Sequence, residues 1–305
     1  MDYAEAVEVF FTPGPTDVAT PSVVAAATPA RRLRDALEPL AMHAVWSSSV
    51  NAALAGHGMD FLTAYVCGRA GALGDVSSAV VAATFAVFEP GLIDSLWTEG
   101  RAQVPLTELM PIRDTAAAES LRATIGTVAP EAAVADVAQV LERAVDAVDG
   151  TGRVLFAALR ARPRPTDPYA RLWRAADLVR EHRGDSHIAA SVAAGLDPVR
   201  MGVLSELWVG YPLGEYSGTR AWPPEAAAGA VTRLQADGLL ADDTLTAAGR
   251  AFREQIEAAT DTAQDTLLAA VGNDLKAVVE QTDAWSQRCV DAGAFPPDIR
   301  KRAAG

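Results

Sequence analysis

From residue 29 the chain repeats apolar positions at intervals of three and four. Leu33, Leu37, Leu40 and Ala44 mark one face of a helix, with His43 beside the stripe and Trp46 just beyond it. The same period predicts helices over 59–69, 76–88, 115–125, 130–148 and 154–159. His57, between Gly56 and Gly58, belongs to a solvated turn. Asp75 reads as the N-cap of the 76–88 helix, and Glu89-Pro90-Gly91 as its end. Ahead of this region, Pro13, Gly14, Pro15, Pro21 and Pro29 break any regular period, so residues 1–29 read as an extended or disordered arm on which Phe10 and Phe11 can dock.

After the linker ARPRPTDP (161–168), Asp167-Pro168 has the form of a helix start, an N-cap acid followed by proline. Leu172, Ala175, Val179 and His182 then follow helical spacing on one stripe, which turns His182 inward. Arg174, Asp177 and Glu181 follow the same spacing on another face, which turns Glu181 towards solvent. Gly184 reads as a stop for this helix, and Asp185 as the cap of a next one over 186–194 that Gly195 ends. A second Asp-Pro pair, Asp197-Pro198, opens a helix over 198–209. A proline-led helix over 223–236 is followed by two short strands, 239–241 and 244–246, with Asp242-Asp243 between them. A long amphipathic helix comes next. That order is the plan of a winged helix. The fold class is therefore mainly α: an N-terminal helical domain (30–160) and a C-terminal winged-helix-like module (167–290) with a short two-stranded wing. Residues 291–305 read as a loose tail.

Charge and composition narrow the functions. The formal net charge of −13 over 305 residues opposes a chain whose main partner is nucleic acid, since phosphate binding needs a basic face. Cys67 and Cys289 are far apart and outside any CxxC pair, as expected of buried thiols in a reducing compartment. The acidic opening MDYAEAVEVFF is unlike a secretory signal, and no apolar run reaches about 18 residues. A cytoplasmic protein without a membrane span is the expectation.

Three stretches carry a family resemblance: GRAGALGDVSSAVVAATFAVFEP at 68–90, DPYARLWRAADLVREHRGDSHIAA at 167–190, and DGLLADDTLTAAGRAFREQIEAATD at 237–261. Together they resemble a family of actinobacterial proteins labelled helix-turn-helix, over roughly residues 30 to 285. REHRGDSH is the most specific part, whereas the wing segment is similar to many MarR-like regulators. The resemblance implies a helical fold with a winged-helix module, and a setting in specialised metabolism or resistance. It supplies no catalytic residues.

No nucleotide-binding glycine motif, nucleophile elbow or standard metal spacing is present, so neither cofactor nor metal is expected. The densest polar cluster is His182, Arg183, Asp185 and His187. These groups suit binding an anionic or carbonyl-bearing molecule, or moving a proton on it, with His182, Arg183 and Asp185 as the acid–base set. His43, Arg69, Phe85, Phe88 and His187 are the candidate ligand contacts. Chemistry of this kind would be that of a cofactor-independent lyase, isomerase or cyclase. The competing reading is a buried hydrogen-bonded network that locks helices together. Direct DNA reading is disfavoured. The recognition helix opens PPEAAAGAV instead of offering Arg, Lys, Asn or Gln, and the wing tip carries two aspartates. A small-molecule binder is thus the leading expectation and a ligand-responsive winged-helix regulator the alternative, either compatible with a homodimer.

Overall fold

Helices make up nearly all the regular structure in the computed structural model, which describes residues 1–14 and 28–303. In chain order they are α1 (Tyr3–Phe10), α2 (Pro29–Ala41), α3 (His43–Trp46), α4 (Ser48–Ala55), α5 (Phe61–Ala70), α6 (Ser78–Phe85), α7 (Pro90–Gln103), α8 (Leu106–Ile125), α9 (Glu131–Asp146) and α10 (Val154–Arg160). The long α11 (Pro168–Ala193) follows, then α12 (Pro198–Val209), α13 (Pro224–Ala236), strands β1 (Leu240–Ala241) and β2 (Thr244–Leu245), α14 (Ala247–Thr262), α15 (Asp265–Val271), α16 (Leu275–Asp291) and α17 (Arg300–Ala303).

α11 is the axis of the molecule. It packs against α2, α8, α9, α10 and α14, and residues on every side of its middle turns are buried. Two expectations fail for that reason. Glu181, placed on a solvent face by helical phase, is only 4% exposed, because this helix has no solvent face there. Gly184 does not stop the helix, and Asp185 caps no helix of its own. The hydrogen-bonded turns run unbroken to Ala193, since packing along the whole length outweighs the modest helix cost of one glycine. Asp167 does cap α11, accepting from the Tyr169 and Ala170 N–H groups at 3.0 Å each. Asp197 caps α12 in the same way.

The two short strands form as their turn signals indicate. β1 and β2 pair antiparallel in the register Leu240 with Leu245. Asp242 takes a left-handed φ of 50° at the exposed tip. Thr246 caps α14 by accepting from the Gly249 N–H at 2.9 Å. Gly249 is pressed so close to the strand that a Cβ would lie 2.0 Å from the Leu239 carbonyl oxygen, so no side chain fits there.

Two apolar cores result, and they do not divide at the 161–166 linker. Leu172 and Trp173 of α11, and Leu267 and Trp285 of α15 and α16, join the core built by α2 to α10. The second core gathers Leu204, Trp208, Leu234, Leu245 and Ile256, with Ala303 returning to it from the C-terminal end.

Other boundaries also differ from expectation. Residues 3–10 of the expected arm form α1 under an Asp2–Glu5 capping box, and Phe10 packs on Trp46 and Phe61. Residues 15–27 of that arm lie outside the described residues. Asp75 pairs with Arg101 instead of capping a helix. Glu89-Pro90 opens α7, with the Glu89 carboxylate accepting from the Leu92 N–H at 2.7 Å. The expected loose tail is anchored up to Ala303: Phe295 is 2% exposed, and Asp298 joins Arg300 to the Tyr211 hydroxyl.

Candidate functional site

Where the two cores meet, a cavity of about 200 Å³ opens among α5, the α6–α7 corner, α11, α12, the connection between α12 and α13, and α14. Its wall is largely aromatic. Tyr65, Phe85 and Phe88 form a triangle with ring centroids 5.8–6.2 Å apart, and Trp46, Phe61 and Tyr216 add to it.

Most of the cations around this cavity are tied to carboxylates. Arg69 grips Glu181 with two hydrogen bonds, Nε to Oε1 at 3.0 Å and Nη2 to Oε2 at 2.9 Å, and donates to the Tyr65 hydroxyl at 2.7 Å. Arg180 bridges Glu38 at 3.1 Å and Glu181 at 2.9 Å. Burial alone would raise the Glu181 carboxyl, but Arg69 and Arg180 outweigh it and hold the group below its ordinary value. On the other side, Glu257 accepts from Arg183, from Arg34 at 3.2 Å and from Arg253 at 2.8 Å. Against the upward pull of burial, these cations keep its carboxyl ionised far into acid.

His187 belongs to this second cluster. Its Nδ1 lies 3.1 Å from the Thr260 hydroxyl oxygen and its Nε2 3.4 Å from the Arg253 guanidinium. Arginine can only donate, so Nε2 accepts and Nδ1 carries the proton. Burial and then Arg253 push its value down to about 3, leaving the ring neutral. Asp185 faces the cavity from α11 and accepts from the Phe156 N–H at 3.0 Å, capping the first turn of α10 from outside. Burial, with Glu181 adding to it, raises its carboxyl to about 6.

Two cations differ from the rest. Arg220 stands 4.5 Å from the Phe88 ring centroid and 4.4 Å from that of Tyr216. Lys301 stands 4.7 Å from Tyr216 and 5.0 Å from Phe10. Neither forms an ion pair with a carboxylate among the described residues. Burial lowers Lys301 to about 8. Their wall is organised by Glu206, wholly buried on α12, which accepts from the backbone N–H groups of Gly214, Tyr216 and Ser217 and from the Ser217 hydroxyl at 2.7–3.0 Å. The same connection is fastened to the helical body. The Glu89 N–H donates to the Arg220 carbonyl at 3.0 Å, and the Trp222 indole donates to the Val87 carbonyl at 2.8 Å.

Of the residues singled out from sequence, Arg69, Phe85, Phe88, Arg183, Asp185 and His187 line this cavity. His182 and His43 do not. His182 is buried, as its helical phase required, but it turns to Gln264 at 2.8 Å and stands edge-on to Phe156. His43 meets the Ser120 hydroxyl at 2.8 Å, and burial lowers it to about 4. Among the described residues no three His, Cys, Asp or Glu side chains gather in a metal-ligating group. Both cysteines are buried free thiols, pushed up to about 12 by burial. Sequence reasoning missed Tyr65, Glu206, Arg220, Arg253, Glu257 and Lys301. Only Glu206, an acid among apolar residues of α12, left a signal along the chain.

A mainly helical chain with a small two-stranded antiparallel sheet between α13 and α14 defines the class. Residues 30–296 match the model of a helix-turn-helix family, and the chain belongs to that family. No curated protein and no solved structure matches it. Among the described residues no single helix is long and apolar enough to cross a membrane.

Proposed function

We propose that the protein binds a small organic anion in the cavity between its helical body and its winged-helix module. One observation carries this reading. Arg69, Arg180, Arg183 and Arg253 form direct ion pairs with Glu38, Glu181 and Glu257, whereas Arg220 and Lys301, on the aromatic wall, form none among the described residues. A half-buried cation with no direct carboxylate partner is only partly compensated, for Lys301 by the more distant Asp298 and Glu215, and an anionic ligand would complete the pairing. The apolar lining then takes the body of the ligand. Acid–base chemistry on the bound molecule, in this reading, falls to Asp185 beside the fixed charge of Arg183, because His182 lies behind the cavity wall. The setting in specialised metabolism or resistance rests on the family resemblance alone.

The test is calorimetric titration with 2-naphthoate and its uncharged amide. The carboxylate is expected to bind and the amide to bind at least about tenfold more weakly, the difference a charge-assisted hydrogen bond makes. Arg220→Met should erase the preference. Equal binding of the two probes, or an unaltered preference in the variant, would overturn the proposal.

The family match supports a second reading, a ligand-responsive regulator: the connection that carries Arg220 leads directly into α13, so an anion there bears on the helix that would read DNA. The exposed side of α13 opposes it, offering Glu225, Thr232, a single Arg233 that already pairs with Asp197, and Gln235, whose amide donates to the Asp242 carbonyl at 3.1 Å. Retention of duplex DNA at physiological ionic strength that weakens as salt is raised, and that is lost on adding 2-naphthoate, would put the regulator first.

A further inference from the structure

Gly184 on α11 and Gly202 on α12 both line the cavity, and both lie inside long helices without a positive φ. Neither is needed for close packing. A Cβ on Gly184 would meet nothing nearer than the Glu181 carboxylate at 3.9 Å, and one on Gly202 would touch the Ser217 Cβ at 3.6 Å, an ordinary contact. Gly100 and Gly249 differ, since a Cβ would lie 2.4 Å from the Cys67 sulphur at the first and 2.0 Å from a carbonyl oxygen at the second; Gly229 on α13 is as open as Gly184 and Gly202, its nearest contact the Arg233 Nη1 at 3.5 Å, but it lines no part of the cavity. Glycine is among the poorest helix formers. At positions 184 and 202 neither backbone nor packing accounts for it, and what it provides is room in the cavity.

Two observations flank that room. Arg183, next to Gly184, and Arg253 each line the cavity, are more than nine-tenths buried, and keep Nε without a partner. Gly202 faces Ser217 on the wall that carries Arg220. The volume fixes the scale: roughly 150 Å³ of apolar cavity accommodates one benzene, and this cavity reaches about 200 Å³.

We infer that Gly184 and Gly202 are the size-setting positions of the site, and that its ligand is an anion with an apolar body larger than one six-membered ring, of fused two-ring bulk, lying against both. The inference rests on the anion-binding reading above.

The experiment compares the full chain with Gly184→Ala and Gly202→Ala, measuring melting temperature without ligand and titrating benzoate and 2-naphthoate. Melting temperature is expected to hold or rise in both variants. Affinity for 2-naphthoate should fall about tenfold or more, while that for benzoate stays within about threefold. A melting temperature lowered by several degrees would show that the glycines serve the fold, and equal loss of both probes would show that they do not set size; either overturns the inference and leaves the anion reading standing. Failure of both probes to bind the unaltered protein would overturn the anion reading, and this inference with it.

Discussion

Two sets of cations surround one cavity, and they differ in what satisfies them. Arg69, Arg180, Arg183 and Arg253 are held in ion pairs at 2.8–3.1 Å or closer, on α5, α11 and α14. Arg220 and Lys301 face aromatic rings instead. The first set explains how polar side chains can occupy the middle of a helix buried on all sides, because each of these cations has a carboxylate in direct contact to offset the loss of water. The second set explains nothing about folding. Burial of charge therefore has two meanings within one pocket, and the presence or absence of a carboxylate separates them.

The comparison breaks most visibly at Glu257. Glu257→Gln removes the common partner of Arg34, Arg183 and Arg253, and stability measured by urea denaturation should fall by about 3–5 kcal/mol. A loss below about 1 kcal/mol would mean the first set is not structural. Glu206→Ala comes next. It leaves three backbone N–H groups and a hydroxyl without their acceptor, costing about 2–3 kcal/mol, and by loosening residues 214–217 it should weaken 2-naphthoate binding as well. Retained binding in a folded Glu206→Ala protein would dissociate that loop from the site.

Asp185 gives an effect of similar size but opposite sign. Its folded value of about 6 lies above its ordinary 3.8, so the folded state holds the extra proton between those values, and stability is lost as pH rises through them. Asp185→Asn should gain up to about 3 kcal/mol at pH 7, with the gain vanishing below about pH 4. His43 and His187 act the other way. Their folded values of about 4 and about 3 lie below 6.5, so the unfolded chain takes protons first and stability is lost as pH falls. Denaturation midpoints from pH 7 to 4 should thus fall more steeply for Asp185→Asn than for the native protein; parallel curves would contradict the assignment. The smallest effect belongs to the second set. Arg220→Met should change stability by only about 0.5–1 kcal/mol, the worth of its contacts with two rings, while abolishing the carboxylate preference.

The chain spells out its local signals more openly than its long-range ones. Asp167-Pro168 and Asp197-Pro198 were readable as helix starts because cap and proline act within one turn. Glu89-Pro90 carries the same signal in a glutamate and was misread as a stop. The wing, with its polar two-residue tip between apolar residues, was equally legible. Helical phase placed His182 correctly indoors and Glu181 wrongly outdoors. Periodicity assumes one wet face, and α11 has none along its middle. The cavity itself was not legible. Arg69, Glu181, Arg220 and Lys301 come from four distant segments, and only tertiary packing decides that two of them pair and two do not.

The fastening of the α12–α13 connection to the α6–α7 corner has an energetic consequence. The residues just ahead of α13 are anchored through the Arg220 carbonyl and the Trp222 indole. Loosening this segment costs both hydrogen bonds, together roughly 1–3 kcal/mol. The pair of bonds therefore works as a latch that holds the entry to α13 against the α6–α7 corner.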